Sequence, residues 1–421
     1  MEGKVEFYKE TEFKDTEIGR IPKDWEDISA ADIADYINGY PFSPTDWKMY
    51  GIPIIRIQNL NDPNAEFNFF NGEIDDIYKI KNGDLLFSWS ASIGIYIWKR
   101  GDAVLNQHIF KVIPKTNINK LFLYYDLLLA IEQLKGRVHG STMKHFQKNE
   151  LKTTFIPIPS IKEQQKIAEI LSTVDGAIQK TDDIIAKTES LKKGLMQELL
   201  TKGIGHKEFK DTEIGKIPKE WEVIKLRDIL LLLRNGLTLR QRKEGNDYPV
   251  TRIETISEEK IDPSKLGYVI GLSEKDIEEY RLIEGDILFS HINSLEHIGK
   301  TAIYEGVPGF LLHGMNLLLL RPDKNKVHPK FLLYLLRLFR TRKIFLIMAK
   351  KAVNQASINQ TELGNLKIFL PSLEEQQKIA SILSTIDEKL EILRREKTKL
   401  ERIKQWFMEE LLTGRIRVRV A

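Results

Sequence analysis

"EQQKIAEILSTVD" runs from Glu163 to Asp175, and "EQQKIASILSTID" runs from Glu375 to Asp387, an offset of 212 in a chain of 421 residues. Pro159-Ser160 and Pro371-Ser372 precede the two copies, so each opens on Ser-x-x-Glu. That spacing predicts a capping box, with Glu163 and Glu375 at the third helical position and favourably placed at the positive helix end. Apolar residues then recur in steps of four and three. The first run is Ile167, Leu171, Val174, Ile178, Ile185, Leu191, Leu195 and Leu199, with Thr181 and Thr188 on the same lattice. The second is Ile379, Leu383, Ile386, Leu390, Leu393, Leu400, Ile403, Phe407 and Leu411, with Lys397 in step. So narrow a seam suits a partner helix. Each helix would run roughly 40 residues, or about 60 Å at 1.5 Å per residue. Two copies related by a pseudo-two-fold axis pack such helices antiparallel, as a coiled coil.

The duplication reaches further. "EFKDTEIGRIPKDWE" (Glu12–Glu26) returns as "EFKDTEIGKIPKEWE" (Glu208–Glu222), thirteen of fifteen positions identical, at an offset of 196. "IPIIRI" answers "YPVTRI" at 196, "NGDLLFS" answers "EGDILFS" at 202, and "LMQELLT" answers "FMEELLT" at 212. The second copy has therefore gained residues in its middle. Framework segments repeat while loops differ, as in "NGYPFSPTDWKM" against "RNGLTLRQRKEGN". The order is domain, helix, domain, helix. The phrase at Glu208 follows the first helix directly, so the phrase at Glu12 belongs beside the end of the second, with the two termini close together. Trp25 and Trp221, with Ile18, Ile214, Ile21 and Ile217, are expected to anchor these joints by burial, while Asp15, Glu17, Asp211 and Glu213 stay wet or face a partner subunit.

Within the first domain the pattern predicts a short helix near Ala30–Tyr36 and strands at Ile52–Ile57, Asp84–Trp89, Gly94–Trp98 and Val104–Ile113. A helix at Asn119–Leu134 and a last strand in "TTFIPIP" follow, and the second domain repeats the plan: α/β material with an irregular sheet. Hydrophobic residues at 42% are enough for real cores; net charge is only +4, so any basic surface is local. There is no cysteine for a disulfide or thiolate site. The most apolar stretch, Phe331–Lys351, is interrupted by Arg337, Arg340, Arg342 and Lys343, which argues against a membrane span. A soluble, cytoplasmic chain is expected.

Enzyme signatures fail in turn. The chain has no phosphate-binding G-x-x-x-x-G-K-[ST] and no G-x-S-x-G elbow. Its histidines lack a convincing ligand constellation, and "PDKNK" (Pro322–Lys326) reads as a turn. No catalytic or metal site is expected. Cation-rich loops are the candidates for nucleic acid instead: Lys48, Arg56, Ser141, Lys144 and His145 in the first domain, and Arg234, Arg240, Arg242, Lys243, Arg252, Lys350, Lys351, Asn354 and Gln355 in the second. Cations grip phosphates, and amides can pair with adenine edges.

"PIPSIKEQQKIAEILSTVD", its repeat "LPSLEEQQKIASILSTID" and the "IGxIPxxW" phrase resemble specificity subunits of type I DNA restriction–modification systems, over nearly the whole chain. The resemblance implies two target-recognition domains, 1–157 and 203–369, and coiled-coil helices at 158–202 and 370–414, with 415–421 as a tail. It implies that each domain reads half of a bipartite, asymmetric site in double-stranded DNA. It further implies that the helices set the spacing and dock two adenine-N6 methyltransferase subunits, with a restriction/translocase subunit joining. S-adenosylmethionine, ATP and Mg would be used only by those partners, and this chain would be non-catalytic. The alternative is a coiled-coil adaptor that joins protein partners without reading DNA sequence.

Overall fold

A computed structural model describes residues 6–90, 92–137, 150–245, 247–352 and 355–420. The chain forms two compact units, Met1–Asp183 with Arg395–Ala421, and Ile184–Arg394. Each holds one α/β domain and part of both long helices, Ile161–Lys202 and Leu373–Leu411.

The repeated phrase folds the same way in each unit. Phe13–Thr16 pairs antiparallel with Gly19–Pro22, and Phe209–Thr212 with Gly215–Pro218. Gly19 and Gly215 turn at φ +104° and +116°, where a Cβ is disfavoured. The Thr16 and Thr212 hydroxyls donate to the Gly19 and Gly215 carbonyls across the turn. Ile18 and Ile214 occupy that turn; Ile18 is exposed and does not anchor the joint, whereas Ile214 is half-buried against the cluster of Trp221 and Ile217. Trp25, Trp221, Ile21 and Ile217 are the residues that bury there.

The strand Glu26–Ser29 then pairs with Phe155–Ile158, and Glu222–Lys225 pairs with Lys367–Leu370, so the segment entering each long helix is stitched to the phrase. Four strands form the main sheet of the first domain, in the order Gly94–Ile97, Leu85–Ser88, Ile109–Pro114, Ala34–Asn38. In the second domain the order is Thr301–Ile303, Ile287–Ser290, Leu317–Pro322, Leu230–Asn235, the same topology. The expected helix near Ala30–Tyr36 stops at Ile33, because the residues that follow pair with Ile109–Pro114. The expected strand Val104–Ile113 breaks at 106–108 into Ala103–Leu105, which joins a second sheet, and Ile109–Pro114. Helices Lys120–Arg137 and Pro329–Thr341 pack apolar faces onto the main sheets.

In each unit the long helices run in opposite directions. Lys404 pairs with Asp175 and Lys397 with Asp182, both at 2.7 Å, in the first unit. Lys192 pairs with Asp387 at 2.5 Å and Arg394 with Glu189 at 2.6 Å in the second. Ile167, Leu171, Ile379, Leu383, Leu390 and Leu411 are buried as the seam requires; Val174, Ile178, Ile185, Leu195, Leu199, Ile386, Leu393, Leu400 and Phe407 are half-buried. Leu191 and Ile403 are a correction: they stand 56% and 44% exposed. Their neighbours Lys192 and Lys404 take the inward place. The hydroxyls of Tyr125 and Tyr334 donate to Asp175 and Asp387 at 2.7 and 2.8 Å. The ammonium groups lie 5.7 and 5.8 Å from the same two rings. A Tyr–Asp–Lys node thus ties each domain to both helices through charge-assisted bonds and a cation over the ring.

The Glu163 and Glu375 carboxylates correct another expectation. Ser160 and Ser372 accept from their backbone N–H groups at 3.4 and 3.3 Å, which is half of a capping box. The carboxylates turn instead to the joint. Glu375 accepts from the Trp221 indole at 3.0 Å and the Ile204 backbone at 2.9 Å, beside His206. Glu163 accepts from Nη2 and Nε along one edge of the Arg417 guanidinium, at 2.8 and 3.0 Å. Residues 415–421, read as a tail, carry the strand Ile416–Val418, which pairs with Phe7–Lys9 and brings the N-terminal segment to the end of the second long helix.

Candidate nucleic-acid interface

Gly39 and Gly236 open the variable loops of the two domains. Their φ values are ordinary, yet a Cβ at either would collide with a backbone carbonyl, that of Asn106 or that of Gly314. The loop start is thereby pinned to the strand leading into the sheet, and only glycine fits. From there the loops diverge while returning to matching anchor points. Lys48 makes an isolated antiparallel bridge to Phe69, and Arg242 makes the same bridge to Tyr268. Both partners lie on the strand after the "IPII" or "YPV" segment, so Lys48 and Arg242 occupy corresponding places.

What surrounds those places differs. In the first domain Met49 and Tyr50 project at 92% and 69% exposure. Lys48 Nζ donates to the Thr45 carbonyl at 3.0 Å. Arg56 is less free: its guanidinium lies 4.8 Å from the Trp47 ring centre and donates to Asn68 at 3.0 Å. Arg56 shapes the loop more than it reaches outward. Met49 and Tyr50 lie outside the cation pattern of the sequence. Their signal in the sequence is two large apolar residues directly after Lys48 in a loop that differs between the copies.

In the second domain Arg240, Arg242 and Lys243 are exposed and make no ion pair among the described residues. They are the cations best placed to meet phosphate. Arg234 is engaged with Glu279 at 2.6 Å and lies 4.3 Å from the Tyr280 ring, and Arg252 holds Glu254. Lys350 pairs with Glu362 at 3.0 Å. Lys351 and Gln355 have backbone positions in the hairpin Lys350–Ala352/Gln355–Ser357, and their side chains lie outside the described residues, as do Asn354, Ser141, Lys144 and His145. Burial pushes His291 and His313 down to about 4, so both are neutral near pH 7 and add no positive charge to this face. Among the described residues no group of three or more His, Asp or Glu could hold a metal ion, and no helix is long and apolar enough to cross a membrane.

A family model for the type I restriction modification DNA specificity domain matches residues 22–190 and again 218–402. The type I restriction enzyme MjaVIII specificity subunit of Methanocaldococcus jannaschii is 32% identical over 99% of this chain and 98% of its own length. A putative type I restriction enzyme MjaX specificity subunit from the same organism is 60% identical over 49% of this chain, and that match spans 48% of the relative. Among solved structures, the S subunit of a type I restriction–modification system from M. genitalium superposes with a TM-score of 0.59 over 92% of this chain and 96% of its own, at 15% identity. That likeness is one of fold.

Proposed function

We propose, since the chain belongs to the type I restriction–modification DNA specificity family, that it is the sequence-reading subunit of such a system. Each domain reads one half of a bipartite, asymmetric site in double-stranded DNA. The long helices set the gap between halves and offer docking surface to two methyltransferase subunits, and a restriction/translocase subunit completes the assembly. Methyl transfer, with S-adenosylmethionine, and cleavage, with ATP and Mg, belong to those partners; this chain supplies recognition alone.

The observation that carries this reading is the pair of corresponding loops, anchored alike at Lys48 and Arg242 and built from unlike residues. Met49 and Tyr50 suit apolar contact with a thymine methyl, whereas Arg240, Arg242 and Lys243 suit phosphates and guanine edges. Unlike loops on one scaffold give unlike half-sites. Exchanging residues 28–151 for the corresponding segment of another family member tests it, with DNA selection from a random duplex library as the readout. One half of the selected motif is expected to change while the other half and the gap stay fixed. An adaptor without DNA readout would select no motif from either chain.

A further inference from the structure

Three carboxamides, Gln241, Asn293 and Asn316, line one recess of about 430 Å³ in the second domain, together with Arg252, His297 and Lys300. The recess sits beside the exposed cations, since Gln241 lies between Arg240 and Arg242 in the chain. Its two long cations are held in place: Arg252 is paired with Glu254, and Lys300 donates to the Ser257 carbonyl. Alongside the Arg252–Glu254 pair and the Lys300 ammonium, the recess offers a ligand three neutral carboxamides.

Each carboxamide is placed by a local device. Asn293 donates to the Ser290 hydroxyl at 3.0 Å and accepts from the Ser294 N–H at 2.8 Å, which fixes its plane and leaves one N–H and one lone pair. Asn316 sits at φ +66°, a left-handed conformation that asparagine tolerates better than most side chains. Gln241 lies across two glycines: a Cβ on Gly314 would stand 2.8 Å from its Nε2, and one on Gly267 would stand 3.0 Å from its Oε1. At Gly314 a Cβ would also collide with the Thr251 carbonyl, so only glycine fits there. Among the described residues the Gln241 side chain donates to the Thr251 carbonyl at 3.5 Å, at the outer limit of a hydrogen bond. Its amide thus keeps pairing capacity for a ligand.

A carboxamide presents one donor face and one acceptor face side by side. Adenine alone among the bases shows the complement in the major groove, an N6 donor next to an N7 acceptor; guanine shows two acceptors and cytosine a donor. We propose that this recess reads an adenine in the half-site of the second domain, with Gln241 as the specificity-determining residue, Asn293 and Asn316 supporting it, and Arg240 and Arg242 holding the flanking backbone. This rests on the DNA-reading function proposed above.

The test uses the full-length chain assembled with a type I modification subunit, selected against random duplexes, comparing wild type with Gln241→Ala and Gln241→Glu. Gln241→Ala is expected to reduce the preference for one adenine by about 5- to 150-fold, the range for loss of a bidentate base contact. Gln241→Glu is expected to move that position toward cytosine, because a carboxylate only accepts, and cytosine N4 donates. The other half-site serves as an internal control and stays unchanged. Variants that select the wild-type motif unaltered overturn the inference while leaving the proposed function standing. A uniform loss across both half-sites also overturns it, since that is what a merely structural glutamine would produce. A wild-type chain that selects no motif overturns both.

Discussion

Replacing Arg417 with methionine is expected to destabilise the first unit by about 3–5 kcal/mol, the usual consequence of removing one partner from a buried charge pair. Arg417 is 9% exposed, and the Glu163 carboxylate it grips is 2% exposed. Its guanidinium also meets Asp24 at 2.7 and 2.9 Å and Glu10 at 2.8 Å, and lies 5.6 Å from the Trp25 ring centre. Every N–H of the fork is directed at a carboxylate. Methionine keeps much of the stem but leaves Glu163 desolvated and unpaired at a helix start, with Asp24 and Glu10 close by. The second unit provides the internal comparison. There the chain runs covalently from the first long helix into the phrase, and Glu375 is satisfied by Trp221, Ile204 and His206. In the first unit the corresponding place is held by Arg417 and by the Phe7–Lys9/Ile416–Val418 pairing. Chemical denaturation of the variant should reveal an early transition, and hydrogen exchange should place it in the strands around Trp25. A variant that unfolds with the wild-type midpoint would show that the carboxylates find other partners.

Asp126 gives the opposite sign. It is buried in the helix Lys120–Arg137 with Oδ2 unpartnered among the described residues, and burial raises its pKa well above the ordinary carboxylate value. Tyr125 and Tyr334 make corresponding bonds, so the next residue in the second domain is Leu335, fully buried. Asp126→Leu is therefore expected to stabilise the protein by about 1–3 kcal/mol at neutral pH, the typical penalty of an unsatisfied buried polar group. The pH dependence follows from linkage. A raised folded-state pKa means that the folded chain holds a proton the unfolded chain releases, so stability falls as pH rises above the unfolded value. The advantage of leucine should shrink as the pH is lowered toward about 4, and Asp126→Asn should remove the pH dependence without restoring an apolar contact. Thermal unfolding across that range checks both. A gain that is the same at every pH would mean that Asp126 is ionised in the folded protein.

The repeat made much of this architecture legible. Two nearly identical phrases fold into identical hairpins because the turn glycine and the bonding threonine recur with them, and the Glu-Gln-Gln segments start both long helices. Other features were hidden because they depend on residues distant in the chain. Nothing near Glu163 announces Arg417, which arrives from the far end of the sequence, so a local capping role was the natural reading. Leu191 and Ile403 kept the apolar rhythm while Lys192 and Lys404 took the inward place. The reason lies in Tyr125, Tyr334 and two aspartates, not in the helix pattern. The candidate interface was legible in sequence as a pair of regions: the loops that differ between copies, which in the second domain carry the exposed cations Arg240, Arg242 and Lys243. Its individual residues were not, because Arg234, Arg252 and Arg56 look the same in sequence as Arg240 and Arg242, and only folding shows which cations are already engaged.

The central claim is that two copies of one scaffold carry unlike reading surfaces, so that the chain specifies a DNA site in two unequal parts. Mapping N6-methyladenine across a genome in which the chain is produced with a modification subunit tests this directly. The account predicts a single motif with two different defined halves and an unspecified gap of fixed length, absent when the chain is deleted. A palindromic or contiguous motif, or methylation unchanged by the deletion, would contradict it.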